Sequence, residues 1–580
     1  MKKLTRKDFL KVSGMGLGAV SLAMLTGCGS SSESSSSSNA SESEATTEAT
    51  SESAGEESTL TGLAALPPSD VYKGEVQQQT FPLVDEKVTL RVWYPYASNI
   101  GSFPDLNDGE FWQWYEELTN VHIDFIIPAS GSEADSFNLL FASNDMPDIV
   151  IQTVGNYGYR NGQDAAIDDG YFADIAQYLD YAPNYVSWLN SDETFARAAY
   201  SDTGKLYGLW GVWATDSDTS YANCGMSIRE DYLDALGMDV PTTYDEWEEM
   251  LIAFRDELGI EIPFYTSKYG IDNGEFMAGY DTAPYFYRRD EVVQYGPLDD
   301  SYKEYLELLH NWWEEGLLDK DFSTRSSTGV GGDYDVLLND QVGSLIDFDT
   351  HLGSIYLSRG ATNEDFYLIG APQPKKSADS VDPAWRWTNV GSESMYGITH
   401  LVAADSENLE VAIRWLDGFY GDDVCQNANY GLESEEGIVW YADEEDGHRI
   451  KSYEFRYNNP DGLDSSVAKV KYYVHNPPVR LEAAECEYLG EASQNADEVW
   501  RTYEATNALP QRLTMTAEEG TRYATLYADI ETYVQECNVK FIMGQMSLDD
   551  YDSYRETLIE MGIEECIELQ QAALDRYNAR

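Results

Sequence analysis

Lys87-Val88-Thr89-Leu90-Arg91-Val92-Trp93 alternates polar and apolar side chains with a period of two, the pattern of a strand. Phe111 to Leu118 then follows a helical period, and Val121-His122-Ile123-Asp124-Phe125-Ile126 returns to strand. Phe137 to Ala142 is helical again, and Asp148-Ile149-Val150-Ile151 reads as a short buried strand. Strand, helix, strand, helix, strand predicts a parallel α/β sheet with crossover helices. Open sheets of this kind hold ligands beyond the carboxyl ends of their strands. Those ends are Tyr94 to Asn99 and Gln152 to Tyr157, which makes Tyr96, Asn99, Gln152, Asn156 and Tyr157 candidates for ligand contact. Trp93 and Tyr94 point to opposite faces of their strand, so only one of the two is expected in the core.

Upstream of this sheet the composition changes twice. Met1 to Lys11 carries five Lys/Arg and one Asp, and Val12 to Leu25 is apolar or small. A charged start followed by a short apolar run is an export signal, too short for a membrane span. It ends in Leu25-Thr26-Gly27-Cys28, which resembles the bacterial lipobox. That resemblance implies cleavage after residue 27 and a diacylglycerol on Cys28, and two acyl chains suffice for stable anchoring at the outer face of the cell membrane. Thr5-Arg6-Lys7-Asp8-Phe9-Leu10-Lys11 also looks like a twin-arginine signal, but Lys7 replaces the second arginine, so the ordinary secretory route is expected. Gly29 to Thr59 is mostly Ser, Thr, Ala and Glu, with seven glutamates and neither basic nor aromatic residues. Such a tract buries too little apolar surface to offset its ordering entropy, and like charges extend it. Residues 28–83 are thus expected to be a solvated spacer and lead-in.

From Val84 onward about 500 residues remain, enough for more than one compact lobe. Net charge over the whole sequence is −66, and loss of residues 1–27 removes a net +4 and leaves −70. So acidic a body repels nucleic acid and anionic headgroups. It also argues against a polyanionic ligand, unless a local basic pocket overrides the mean field. Besides Cys28 there are Cys224, Cys425, Cys486, Cys537 and Cys566, an odd set with no CxxC, so buried free thiols are expected rather than a disulfide framework. Tyrosine numbers 42 and tryptophan 14, a supply of flat apolar faces with polar tips that suits sugar rings as well as half-buried helix surfaces.

Ala142-Ser143-Asn144-Asp145-Met146-Pro147-Asp148-Ile149 resembles the A-S-G-D-x-P-D-I/V signature of family 1 extracellular solute-binding proteins, with Asn144 at the usual glycine. Further stretches match in family order: Asp169-Gly170-Tyr171-Phe172-Ala173-Asp174-Ile175, Tyr181-Ala182-Pro183-Asn184, and the hairpin Asp202-Thr203-Gly204-Lys205-Leu206-Tyr207-Gly208. Gly237 to Met250, Leu509-Pro510 to Glu519 and Lys540-Phe541-Ile542-Met543-Gly544 follow. Members are lipoprotein receptors of carbohydrate ABC importers in Gram-positive bacteria. The resemblance implies a two-lobed periplasmic-binding-protein-like α/β fold, each lobe a mainly parallel sheet flanked by helices, with the ligand in an inter-lobe cleft. It places one lobe at 84–210 plus 370–405 and the other at 211–369 plus 406–580, with an insertion on the second at about 421–501. It also implies ABC permease subunits as partners and a monomeric receptor. Independently of the family, Thr242 or Thr243 can cap the helix carrying Trp247, Met250, Leu251 and Phe254, and Gly204 supplies a hairpin turn.

Few patterns carry catalytic chemistry. No G-x-x-x-x-G-K-[ST] or G-x-S-x-G sequence is present, and the six histidines show no ligand spacing. Asp347-Phe348-Asp349 ends the apolar strand Val342 to Ile346. It suits ligand hydroxyls or a solvated strand end better than a hydrolytic carboxylate pair. Asp272-Asn273-Gly274-Glu275 resembles part of a calcium loop but falls short of one, so no cofactor is expected and a structural calcium is the weaker alternative. Trp210 and Trp213 follow the hairpin. Trp385-Arg386-Trp387, with Tyr396 beyond, offers stacking faces around a fork of donors. Core packing is the competing reading for Trp213 and Trp387. The expectation is a carbohydrate-binding receptor, with an oligopeptide or other polar-solute receptor, or a surface glycoside-degrading enzyme, as alternatives.

Overall fold

The computed structural model describes residues 76–96, 103, 105–143, 145–153, 157–160, 162–191, 193–214, 224–325, 334–348, 352–353, 360–383, 395–432, 439–441, 452–454, 470–481, 491–500, 506–510 and 512–580. Ten strands build its two main sheets: β1 (Val88–Trp93), β2 (Val121–Ile126), β3 (Ile149–Thr153), β4 (Leu209–Ala214), β5 (Cys224–Arg229), β6 (Ile262–Phe264), β7 (Val342–Phe348), β8 (Leu368–Gly370), β9 (Met395–Val402) and β10 (Val479–Leu481). Six form one sheet in the order β10-β4-β9-β3-β1-β2, and four form the other in the order β8-β5-β7-β6.

The strand–helix–strand run folds as its periodicity requires. β1 lies parallel to both β2 and β3, and helices Glu110–Thr119 and Glu133–Ser143 make the crossovers. Trp93 and Tyr94 are both buried, which corrects the expectation of one core residue between them. The sheet is covered on both faces, as parallel sheets are. Trp93 meets Phe137 and Tyr157, while Tyr94 meets Phe125 and Tyr96. Asp148 ties the sheet edge to the chain beyond β9: it accepts from Arg91 N (2.8 Å) and Ser406 Oγ (2.5 Å). Its neighbour Asp145 accepts from the Arg91 guanidinium at 2.7 Å.

The chain passes from the first sheet to the second between Ala214 and Cys224, returns between Gly370 and Met395, and crosses again between Leu481 and Glu491. This explains why each sheet, mainly parallel as expected, contains one strand that runs the other way. A strand arriving from the other lobe starts at the end facing that lobe and runs away from it. β5 is accordingly antiparallel to β7, and β9 to β3 and β4. The ends that face the opposite lobe are therefore the carboxyl ends of β1, β3, β4, β6 and β7 and the amino ends of β5 and β9.

The lobe boundaries differ from those the resemblance implied. Residues 370–383 stay with the second lobe, where Ala371 N donates to Met226 O and Lys375 N to Thr242 O. Residues 406–432 and 470–481 belong to the first lobe, not the second. Helix Leu409–Gly418 buries Trp415, whose ring stacks on Trp112 at 6.2 Å, and β10 pairs in parallel with β4. The described parts of the stretch 421–501 are likewise not appended to the second lobe as one insertion. Its helix Asp422–Tyr430 and β10 complete the first lobe, and helix Glu491–Trp500 covers β5 and β8 of the second. There Trp500 lies flat on Gly225, where a Cβ would come within 2.5 Å of the ring, and donates through Nε1 to Met226 O.

In the second lobe, Thr243 and Glu246 form the capping box of helix Tyr244–Asp256, which buries Trp247, Met250, Leu251 and Phe254. Gly204 turns the hairpin at φ 78°. Cys224, Cys425, Cys537 and Cys566 are buried free thiols, and Cys486 lies outside the described residues.

A second contact joins the lobes besides the three crossings. The helices Ala517–Ile542 and Ile563–Asn578 pack on the second lobe, yet their flanking residues reach the first. Asp202 accepts from Thr514 Oγ1 (2.7 Å) and pairs with Arg576 (3.1 Å) and Arg580 (2.5 Å), and Arg580 also donates to the carbonyls of Arg197 and Tyr200. Burial raises the Asp202 pKa, but Thr514, Arg580 and Arg576 outweigh it and hold the carboxyl below its ordinary value. The stability it contributes is therefore present at neutral pH and lost as pH falls through that lowered value. Asp202→Ala is expected to cost about 2 kcal/mol, since it leaves two guanidinium groups short of an acceptor. Faster amide exchange in residues 512–516 and 197–202, with β1–β3 unchanged, is the readout; unaltered exchange in both segments contradicts it.

Candidate functional site: the facing strand ends

The strand ends that face each other across the lobes carry the candidate site. On the first lobe β1 runs out through Tyr94 to Tyr96. Tyr96 is buried edge-on to Tyr94 (5.0 Å) and His475 (5.9 Å), and Tyr94 Oη donates to His475 O at 2.9 Å. This end of β1 is thus welded to the segment that leads into β10. Gln152 is buried too, and its amide nitrogen donates to Tyr157 O at 2.6 Å. Tyr157 packs against Trp93 at 5.6 Å and Phe137 at 5.0 Å, and burial pushes its hydroxyl up to about 12. Gln152 and Tyr157 are thus tied to one another, while Gln152 Oε1 has no hydrogen-bond partner among the described residues.

Trp210 is a core residue, which corrects its place among the ligand-stacking candidates. The ring is fully buried, its Nε1 donates to Ala199 O at 3.1 Å, and the Arg512 guanidinium covers it at 3.8 Å. Sequence position alone could not reveal this, because the covering arginine comes from the segment that joins the lobes. Trp213 stands nearer the lobe-facing end of β4 and is paired in register with Arg480, whose guanidinium lies 4.6 Å from its ring centre. It is buried beneath that arginine.

On the second lobe Asp347 is fully buried at the end of β7, opposite Gly225 of β5, and accepts from Phe348 N at 2.9 Å. Tyr396 pairs through its backbone with Gly211 in β9. Cys28, Asn99, Asn156, Asp349, Trp385, Arg386 and Trp387 lie outside the described residues. The structure thus gathers Tyr96, Gln152, Tyr157, Trp213 and Asp347 at lobe-facing strand ends, mostly as packed residues, and removes Trp210 to the core.

Two acidic residues raised as part of a calcium loop diverge. Asp272 accepts from Lys268 and Asn538, whereas Glu275 is buried and accepts from Thr266 Oγ1 at 2.5 Å. Among the described residues no group of three or more His, Cys, Asp or Glu side chains is arranged to hold a metal ion, and no helix is long and apolar enough to cross a membrane. Sequence reasoning missed Arg480 and Arg512, which cap the two tryptophans of β4. It also missed Tyr269 and Tyr285, two half-open aromatic residues of the second lobe. Among so many tyrosines no local pattern singles them out.

No family model matches the chain. The fructooligosaccharide ABC transporter substrate-binding protein FusA of Streptococcus pneumoniae is 23% identical over 542 residues, covering 86% of this chain and 92% of that protein. The polygalacturonan/rhamnogalacturonan-binding protein YtcQ of Bacillus subtilis is 23% identical over 341 residues, 55% of this chain and 61% of that one. Among solved structures, an HMO-binding, ABC-transporter-associated solute-binding protein from Bifidobacterium longum infantis superposes with a TM-score of 0.66 at 17% identity, covering 85% of this chain and 99% of that one. The chain has the two-lobed α/β fold of solute-binding proteins, and the relatives named are binding proteins, FusA being the substrate-binding protein of an ABC transporter.

Proposed function

We propose that this chain is a lipid-anchored extracellular receptor that captures an oligosaccharide between its lobes and delivers it to ABC permeases. The observation that carries the reading is the topology: three crossings join two sheets at the strand ends that face the opposite lobe. A solute touching both lobes completes its contacts only when they close, so binding shifts the population toward the closed state. That relatives and structural neighbours bind fructooligosaccharides, polygalacturonan and milk oligosaccharides supports a saccharide as the solute. The strongly acidic body favours a neutral one.

The test is a melting-temperature screen of the body from residue 76 against neutral and acidic oligosaccharides, peptides and amino acids. A rise with one or more saccharides supports the reading. A rise confined to peptides or amino acids overturns it, and turnover of a saccharide by the purified protein would assign it to the enzymes instead. The anchor rests on Leu25-Thr26-Gly27-Cys28. Cys28→Ser is expected to move nearly all of the protein from the membrane fraction to the medium, or to leave the precursor uncleaved. A variant that is processed and still sediments with membranes refutes the lipid anchor.

A further inference from the structure

All three crossings meet the first lobe at one level. Met395, where the chain has returned, pairs with Val212 of β4, and Leu481, where it leaves again, pairs with Ala214. The second contact between the lobes lies at the other end of β4, beside Trp210 and the hairpin that precedes it. Four residues of strand separate the two, or about 13 Å. Helix Ile563–Asn578 carries that contact and belongs to both cores: Ile563, Cys566 and Leu574 pack in the second, and Tyr577 packs in the first.

The helix is fastened on both sides. In the second lobe Gln571 accepts from Val293 N at 2.8 Å and donates to Glu291 O at 3.1 Å, and Asn578 donates to the Glu291 carboxylate at 2.7 Å. Toward the first lobe the Arg580 side chain is only 3% exposed and donates from all three nitrogens, to Asp202, to the carbonyls of Arg197 and Tyr200, and to Thr514 Oγ1. Arg576 shares Asp202 while it grips Glu519 at 2.6 and 3.0 Å. Among the described residues every hydrogen bond and ion pair between the lobes involves 512–516 or 576–580, and none joins the facing strand ends.

The crossings sit side by side on β10, β4 and β9, so an axis through them runs across the strands, and the joint stands off that axis along β4. A hinge rotation of about 20° would displace the joint by about 4.5 Å, more than a hydrogen bond tolerates. Neither side can follow the other, because the helix is tied to Glu291 and Glu519 and Asp202 belongs to the first-lobe hairpin. We infer that the joint of Asp202 with Thr514, Arg576 and Arg580 is a latch, which holds the lobes in the arrangement described and must give way when they close. Closure on a solute then trades latch contacts for ligand contacts, and a weaker latch makes a tighter receptor. The latch rests on the two-lobed fold; its effect on affinity rests also on the saccharide-receptor reading.

Small-angle scattering without added saccharide, on the body from residue 76, which contains both cores, compares wild type with Asp202→Ala and Arg580→Ala. Both variants should shift to a smaller radius of gyration, with amide exchange in β1–β3 as in wild type to show that the lobe itself is intact. An unchanged or larger radius overturns the latch. Calorimetric titration with kestose and lacto-N-tetraose reads the coupling. Affinity for a probe that binds wild type should rise about tenfold in each variant. The same probe at saturation should speed amide exchange in residues 197–202 and 512–516 of wild type. Unchanged or weaker binding by the variants overturns the inference, since residues that merely stabilise the fold would not raise affinity when lost. If the variants contract but no saccharide from the wider screen binds, the latch stands and the receptor reading falls.

Discussion

Trp210→Ala is expected to lower the stability of the first lobe by about 3–5 kcal/mol while leaving saccharide affinity intact in the cold, where the variant stays folded. The indole is fully enclosed, hydrogen-bonded to Ala199 O, and roofed by Arg512. Its removal opens a cavity, strands a carbonyl and releases the arginine that also reaches Gln163. The loss should be cooperative over β4 and helix Glu193–Ala199, because the same wall includes Tyr185, whose hydroxyl accepts from Trp210 N at 3.2 Å. Calorimetric unfolding paired with titration of a bound saccharide separates the alternatives. A variant that melts like wild type but has lost its ligand would return Trp210 to the cleft.

The reversal at Trp210 shows where sequence reading stops. β1 through β3 were legible because periodicity, crossover length and handedness are local, and the capping box at Thr243 was legible for the same reason. Helix Leu409–Gly418 carries an apolar face, but that face does not say which sheet it will cover. Only the packing of Trp415 and Phe419 on Phe111, Trp112 and Tyr115 assigns it to the first lobe. The same holds for the site. A tryptophan near a strand end is equally suited to a cleft or a core until the residue that covers it is known, and for Trp210 that residue is Arg512. Asn99, Asn156, Asp349 and the Trp385-Arg386-Trp387 triplet lie outside the described residues, so for them the sequence-based expectation stands without a geometric counterpart.

Glu275 makes the second large prediction, on the pH dependence of the second lobe. Burial raises its carboxyl to about 8 against the lowering effect of Thr266, so the folded chain holds the proton through neutrality. In the unfolded chain the same group ionises at an ordinary value of 4.5. Between those two values the folded state binds one more proton than the unfolded state. Stability from this group is complete below about pH 4.5 and falls by about 1.4 kcal/mol per pH unit until about pH 8, beyond which the slope vanishes. Asp417, pushed up to about 7 by burial, adds a slope of the same sign, but it sits in the first lobe, where it accepts from Tyr185 N at 2.8 Å. His400, lowered to about 4 by burial, acts in the opposite sense: its contribution is present above the unfolded histidine value and is lost in acid. Glu275→Gln keeps the shape and the acceptor for Thr266 but cannot ionise. The substitution should flatten the second-lobe stability curve between pH 5 and 8 and leave the first-lobe transition as it was, and denaturant unfolding at several pH values in that window measures both. Equal slopes in variant and wild type would mean that Glu275 is charged in the folded chain, with Thr266 and its surroundings able to solvate the anion.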